Sequence, residues 1–227
     1  MYCIKDIIKN INLVVGCDIG CSYCYARNNC KRFRTIPDFS IPTFFESKLR
    51  LLDNNKHSAY LLTGQSDLSG WKDNWINKTF EKMRQNPKTQ YIFLTKRPEK
   101  LNISSAPENA WFGVTITTAK EKVRISELFE NVKANHYHLT FEPLFEDVGK
   151  LDLENIDWIV VGTETGNRKG KSILKREWVL NIINQAKAKK IPVFMKEDLL
   201  GIFDENEFIQ ELPKSFLGEN LWAVVDF

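Results

Sequence analysis

Short apolar runs and stretches of helical period alternate along the whole chain. The apolar runs are rich in β-branched and aromatic residues, and they lie at residues 12–15, 59–63, 91–95, 111–115, 137–142, 158–162 and 191–196. Continuous apolar runs of this length are typical of strands that are buried on both faces of a parallel sheet. Hydrophobic positions with helical period lie between them, at residues 44–52, 71–83, 119–132 and 178–188. The pattern therefore predicts an α/β fold.

The repeated order of strand then helix predicts right-handed crossovers between parallel strands. A doubly wound sheet and a full or partial (β/α) barrel both satisfy this order. In either arrangement ligands bind outside the carboxyl ends of the strands, so the residues that directly follow each apolar run are the site candidates. We expect residues 1–203 to form this unit. Residues 204–227 are expected to pack on the same domain as a helix at 205–212 followed by an irregular or strand-like tail.

Composition and charge narrow the class of protein. The 227 residues include 32 Lys and Arg against 29 Asp and Glu, so the formal net charge is only +3. Strongly basic nucleic-acid-binding domains are not of this kind, although nucleic acid is not excluded as a partner. No apolar run approaches the ~20 residues of a membrane helix, and charged residues interrupt the first ten positions. We expect a cytoplasmic protein with no membrane partner.

Three of the five cysteines crowd into one short segment. Residues 16–27 read GCDIGCSYCYAR, which places Cys17, Cys21 and Cys24 directly after the first predicted strand. Thiolate is the ligand that iron–sulfur clusters select, and three thiolates on one loop can hold three irons of a [4Fe–4S] cube. The fourth iron would remain open to a small molecule. A zinc site is the alternative, because Cys30 could complete a set of four thiolates.

The cysteine spacing resembles the signature of the radical S-adenosylmethionine superfamily. The resemblance implies that Cys17, Cys21 and Cys24 ligate a [4Fe–4S] cluster whose open iron chelates S-adenosylmethionine, and that Tyr23 lies near the adenine. It also implies an external electron donor of the flavodoxin or ferredoxin type. Reductive cleavage of the cofactor would give a 5′-deoxyadenosyl radical that abstracts hydrogen from a substrate.

Further segments resemble one narrower group, the phage-associated and mobile-element radical S-adenosylmethionine proteins of unassigned substrate. The matching segments span most of the chain in order, and they are SDLSGW (66–71), FLTKRPEKL (93–101), WFGVTI (111–116), FEPL (141–144), IDWIVVGTETG (156–166) and IPVFMK (191–196). The cysteine loop is also similar to that of spore photoproduct lyase-like proteins. These resemblances imply a partial (β/α)6-like barrel that is open on one side.

The resemblance also assigns the residues after the second predicted strand. The superfamily has a Gly-Gly-Glu-like motif there that holds the amino group of the cofactor, and this chain has Thr63, Gly64 and Gln65. Gly64 and Gln65 are therefore expected to contact the cofactor, with Thr115 as a further contact on the fourth strand. Asp67 either supplies the missing carboxylate or caps the helix that follows.

Charged residues end several of the predicted strands. Glu142, Glu164 and Lys196 follow the last three, and Lys96 and Arg97 follow the third. In a barrel these side chains would point at a bound substrate, so Glu142, Glu164 and Lys196 are predicted to line a substrate chamber and act in catalysis. Mutual ion pairing that closes the end of the barrel is the alternative.

Two further segments leave alternatives open. The stretch RNNCKRFR (27–34) carries four cations and no acid, so it would hold the cofactor carboxylate, hold a phosphate backbone, or form a solvated helix face. His136 and His138 lie near the beginning of their strand, which favours packing or exposure over a site.

From the cysteine motif and the resemblances together, we predict a radical enzyme whose substrate is a nucleic acid, nucleotide or peptide. The rival is a zinc-stabilised nucleic-acid-binding module without catalysis.

Overall fold

The architecture is a curled parallel sheet with helices on its outer face. The computed structural model describes residues 2–54, 56–165 and 168–217. In chain order, the strands are β1 (Ile8–Asn10), β2 (Val14–Val15), β3 (Thr43–Phe44), β4 (Ala59–Leu61), β5 (Gln90–Thr95), β6 (Ala110–Thr115), β7 (His136–Phe141), β8 (Trp158–Val161) and β9 (Val193–Met195). The α-helices are α1 (Ile4–Ile7), α2 (Tyr25–Phe33), α3 (Asp73–Gln85), α4 (Val123–Asn131) and α5 (Arg176–Ala188).

Seven of the strands form one all-parallel sheet in the order β1-β4-β5-β6-β7-β8-β9. Because each strand lies beside its predecessor in this sheet, the arrangement is that of a barrel and not of a doubly wound sheet. The sheet curls into a half-barrel, which confirms the partial-barrel prediction at this level. None of the described helices has both the length and the apolar character needed to cross a membrane.

The first sheet strand differs from the prediction. Residues 12–15 were expected to form it, but β1 pairs with β4, whereas β2 pairs antiparallel with β3. The chain rejoins the sheet at Gly16, which bridges to Ser66. The apolar run at 12–15 is largely buried, as predicted, but it pairs outside the main sheet. The strand β1 was missed because it is short and contains Lys9 and Asn10, so it lacks the continuous apolar run on which the prediction relied.

The alternation of strand and helix is less regular than predicted. Only a 3₁₀ turn (Pro98–Lys100) lies between β5 and β6, and the chain between β7 and β8 contains no helix in the described structure. Proline removes a backbone donor and disfavours a helix interior, and Pro98 and Pro143 lie in these two connections.

The hydrophobic core of the described residues has three parts, and the two largest lie on opposite sides of the sheet. The larger part fills the space between the sheet and its helices. The smaller part lies on the concave side and consists of Ile8, Ala59, Ile92, Trp111, Trp158, Val160, Phe194 and Phe216. The ring of Phe216 lies 4.8 Å from that of Trp111 and 5.2 Å from that of Trp158. A residue from the C-terminal segment therefore fills the base of the half-barrel.

The predicted helix at 205–212 is wrong. A 3₁₀ turn (Glu205–Glu207) is followed by extended chain that bridges β9 in antiparallel fashion. Met195 N donates to Ile209 O (2.7 Å), and Glu211 N donates to Val193 O (2.8 Å). An edge strand such as β9 exposes unpaired backbone N–H and C=O groups. Hydrogen bonds to these groups outweigh the local helical preference of residues 205–212. The segment thus packs on the same domain as expected, while residues 218–227 lie outside the described residues.

Candidate functional site

One cavity of about 450 Å³ lies at the carboxyl ends of the strands. Most of the residues that the sequence assigned to a site line it, namely Cys17, Cys21, Tyr23, Cys24, Gly64, Gln65, Asp67, Thr115, Glu142, Glu164 and Lys196. Strand alternation accounts for part of this set, because successive side chains point to opposite faces of a sheet. His138, Thr140 and Glu142 share one face and all line the cavity. A cavity of this size suits a small organic ligand.

Backbone hydrogen bonds hold the start of the cysteine loop to the segment after β4 and to the chain before β3. Gly16 N donates to Gln65 O (3.0 Å), and Cys17 N donates to Phe39 O (2.7 Å). Gly16 has a φ of +113°, and a Cβ there would lie 2.9 Å from the backbone oxygen of Ile41, so only glycine fits. Arg97, which was expected at the cavity, instead forms an ion pair with Asp18 of the loop.

The three thiols lie on the wall of the cavity as free cysteines. Cys24 is the N-cap of α2, and its sulfur accepts from Arg27 N at 3.4 Å. Burial raises the pKa of the Cys17 thiol to about 11, so this thiol is neutral near pH 7 unless a cation binds it. In the described ranges, no three Cys, His, Asp or Glu side chains form a group that could hold a metal ion. The thiols therefore share one cavity without forming a closed ligand set.

The remaining two cysteines have other partners. Cys30 is buried, and its thiol donates to Ile36 O at 3.8 Å. The thiol of Cys3 donates to Glu197 Oε1 at 2.9 Å. Neither sulfur lines the cavity.

The segment after β4 packs against the cysteine loop. The hydroxyl of Tyr25 donates to Gly64 O at 2.7 Å. A Cβ at Gly64 would lie 3.0 Å from Asn12 Oδ1, so the backbone passes close to the start of the loop. Tyr25 was not among the predicted site residues, although it follows Cys24 directly in the motif.

Asp67 is used within the protein. Its carboxylate accepts from Ser69 N (3.0 Å), Ser69 Oγ (2.7 Å), Thr95 Oγ1 (2.7 Å) and Lys96 N (2.8 Å). Both oxygens are engaged, and Asp67 is the N-cap of the 3₁₀ turn Leu68–Gly70. Asp67 therefore acts as a cap, which was one of its two expected roles. Its bonds to Thr95 and Lys96 also join the end of β4 to the end of β5.

Lys196 lies between two carboxylates at the ends of β7 and β9. It is 8% exposed, forms an ion pair with Glu142, and its ammonium lies 3.5 Å from Asp198 Oδ2. Burial by itself lowers the pKa of Lys196, but the neighbouring carboxylates of Glu142 and Asp198 outweigh it, and the pKa is raised. Burial raises the pKa of Asp198. Lys196, Glu142 and Asp198 therefore pair with one another and also line the cavity.

Glu164 does not pair with Lys196, as mutual pairing of the strand ends would require, but with Arg168. Arg168 donates to its two carboxylate oxygens at 2.5 and 2.7 Å. These hydrogen bonds hold the pKa of Glu164 below its usual value. The Arg168 side chain reaches solvent, so this pair lies at the rim of the cavity.

Tyr23, Lys96 and Thr115 form the side of the cavity nearest the cysteine loop. The Lys96 ammonium lies 5.5 Å from the centre of the Tyr23 ring, and that ring packs edge-on against Phe145 at 5.3 Å. Burial lowers the pKa of Lys96. Thr115 is buried at the end of β6.

The two histidines have different environments. His136 stacks on Trp111 with ring centres 4.3 Å apart, as packing predicts. His138 is 1% exposed and lines the cavity. It was expected to lie outside the site because it is near the beginning of β7, but the cavity extends along β7 as far as this residue. Its Nε2 lies 3.1 Å from Phe93 O, and a Cβ at Gly113 would overlap its ring at 2.3 Å. The absence of a side chain at Gly113 makes room for this imidazole.

The basic stretch forms most of α2. Lys31, Arg32 and Arg34 are exposed at its end, whereas the Arg27 guanidinium donates to Cys21 O at 3.3 Å. The end of the helix is exposed, and Arg27 contacts the cysteine loop.

The chain matches one family model over nearly its whole length. The model is described as Protein of unknown function (DUF5131), and the match covers residues 4–221. Comparison with curated proteins and with solved structures gives no match. A match of this extent includes the whole half-barrel and the cysteine loop. The chain belongs to the DUF5131 family.

Proposed function

We propose that the protein is a radical S-adenosylmethionine enzyme that abstracts hydrogen from a nucleic acid, nucleotide or peptide substrate. One observation carries the proposal. The three clustered cysteines, the glycine-containing segment after β4 and the polar strand ends all line a single cavity at the carboxyl ends of a sequential parallel sheet.

The donor set fits the cluster that the cysteine motif implies. Cys17, Cys21 and Cys24 would hold three irons, and no other cysteine sulfur lines the cavity in the described structure, which leaves the fourth iron open. Loading requires the thiols to turn toward a common centre. Bound by these residues and reduced, such a cluster would supply one electron for the cleavage of S-adenosylmethionine to methionine and a 5′-deoxyadenosyl radical.

The other residues of the cavity would bind and enclose the reactants. Gly64, Gln65, Tyr23 and Thr115 face the volume next to the cysteine loop, where the cofactor would lie. Glu142, Glu164 and Lys196 line the same cavity at the ends of later strands. The protein's part is to orient the reactants and to exclude water. An external donor of the flavodoxin or ferredoxin type would supply electrons.

A zinc-stabilised module is the second candidate, and the position of Cys30 weighs against it. A structural zinc site is usually closed by four ligands. The Cys30 thiol lies in an apolar cluster with Val15, Ala26, Ile36 and Phe39, and it is hydrogen-bonded to a backbone oxygen there. Completing a set of four thiolates would require this side chain to leave the core.

Metal analysis of cysteine variants tests the proposal. After anaerobic reconstitution, Cys17→Ala, Cys21→Ala and Cys24→Ala should each lose iron, sulfide and the visible charge-transfer absorbance. Cys30→Ala is the matched control and should keep all three, because its thiol has a separate environment. Zinc in place of iron in the wild type, or loss of iron in Cys30→Ala, would contradict the proposed ligand set.

A further inference from the structure

We propose that Lys96, Thr115 and Thr140 form a subsite for an anionic oxygen group, a carboxylate or a phosphate, of a molecule bound in the cavity. The subsite goes beyond the proposed function, and only the arm of the test that uses S-adenosylmethionine rests on that function.

The three side chains lie in one row across three neighbouring strands. Thr95 of β5 pairs with Val114 of β6, so Lys96 lies beside Thr115, and Thr115 pairs directly with Thr140 of β7. Neighbouring strands are about 4.8 Å apart, and residues in register point to the same face. All three residues of the row line the cavity. A single oxyanion can therefore reach more than one of them.

None of the three polar groups is satisfied within the described part of the chain. The Lys96 ammonium makes no hydrogen bond or ion pair there, and its contact is the face of the Tyr23 ring. The hydroxyls of Thr115 and Thr140 make no hydrogen bond with any described residue, although these residues are only 5% and 6% exposed. All three groups are reached from the cavity, so an anion bound there can become their partner.

The carboxylates near Lys96 are committed to other donors. Asp67 accepts from Thr95 Oγ1 (2.7 Å) and from the backbone nitrogen of Lys96 (2.8 Å). Glu121 pairs with Arg124 at 3.0 Å. The ammonium is therefore left for an anion from outside the protein. One ammonium and two hydroxyls provide up to five donor hydrogens, which suits an acceptor-only carboxylate or phosphate.

Calorimetry on the full chain tests the subsite with three probes: S-adenosylmethionine, its decarboxylated form and inorganic phosphate. Lys96→Met should weaken binding of the probe whose anion it holds by about tenfold or more, the usual effect of losing a charged hydrogen bond. Thr140→Val should weaken the same probe by a smaller factor, and Lys96→Arg should restore most of the affinity. Lys100→Met removes an exposed lysine after the same strand and serves as the control.

The probes separate the two sources of the anion. Weaker binding of S-adenosylmethionine but not of its decarboxylated form identifies the cofactor carboxylate. Weaker binding of phosphate with unchanged cofactor affinity identifies a substrate anion. Lys96-dependent phosphate binding by a protein that does not bind S-adenosylmethionine would keep the subsite and overturn the proposed function. The subsite is overturned if the wild type binds none of the probes, or if Lys96→Met and Thr140→Val bind them as Lys100→Met does.

Discussion

His138 shows how one buried residue depends on its neighbours. A carbonyl oxygen only accepts, so the contact of Nε2 with Phe93 O places the ring proton on Nε2. Nδ1 is then an acceptor, and it has no partner among the described residues. Burial lowers the pKa of the imidazole to about 4, so the ring stays neutral in the folded protein at pH 7.

The His138 pKa predicts a loss of stability in weak acid. An unfolded histidine titrates near pH 6.5, so the unfolded chain binds a proton before the folded one does as the pH falls. From about pH 7.5 to about pH 5 this difference should cost about 2 kcal/mol of unfolding free energy. Denaturant titrations at the two pH values should show that His138→Gln lacks this component. An equal pH dependence in wild type and variant would contradict the assignment.

The cysteine spacing and most of the charged strand ends pointed to residues that line the cavity, whereas Arg97 does not line it. A charged side chain at the end of a buried strand is costly without a partner, so it stands out in the sequence. His138 and Thr140 were not identified, although the alternation of strand faces counted back from Glu142 would have found both. The dual role of Asp67 could not be settled, since its contact with Thr95 joins residues that are far apart in sequence.

At the scale of elements, ion pairs join the strand ends that border the cavity. Lys196 after β9 links to Glu142 after β7, across the intervening β8. A Cβ at Gly162, after β8, would lie 2.9 Å from Lys196 Cδ, so the lysine stem crosses the sheet there. The sequence identified these residues and left pairing open as an alternative, because the choice of partners depends on the curl of the sheet.

Removing the Lys196 charge should destabilise the fold. Lys196→Met leaves the Glu142 and Asp198 carboxylates without their cation in a poorly solvated place, and breaking a buried pair costs about 3–5 kcal/mol. Lys78→Met is the control, because its ion pair with Glu46 is exposed and should contribute about 1 kcal/mol or less. Chemical denaturation of both variants measures the difference. Similar stabilities for the two variants would mean that Lys196 acts on a ligand alone and not on the fold.

The element predictions failed where tertiary pairing decides the structure. The segment 205–212 has helical residues but lies against the open edge of β9, and the short β1 has too few residues to show a period. Long buried strands such as β5 and β6 were predicted well, because their apolar runs are continuous.

At the scale of the molecule, the half-barrel is open between β1 and β9, which do not pair. The concave apolar cluster fills its base, with Phe216 from the C-terminal segment, and the cavity extends from this cluster toward the carboxyl ends of the strands. Sequence alone left the sheet order undetermined, since the same alternation fits doubly wound sheets. The consecutive strand order decides for the barrel and places the cysteine loop and the later strand ends around one volume.

We propose that this volume generates a 5′-deoxyadenosyl radical. The most direct measurement is chromatographic detection of 5′-deoxyadenosine after the reconstituted protein is incubated anaerobically with S-adenosylmethionine and dithionite. We expect 5′-deoxyadenosine from the wild type and from Cys30→Ala, and none from Cys21→Ala. A wild-type protein that carries its full iron and sulfide but forms no 5′-deoxyadenosine would contradict the account.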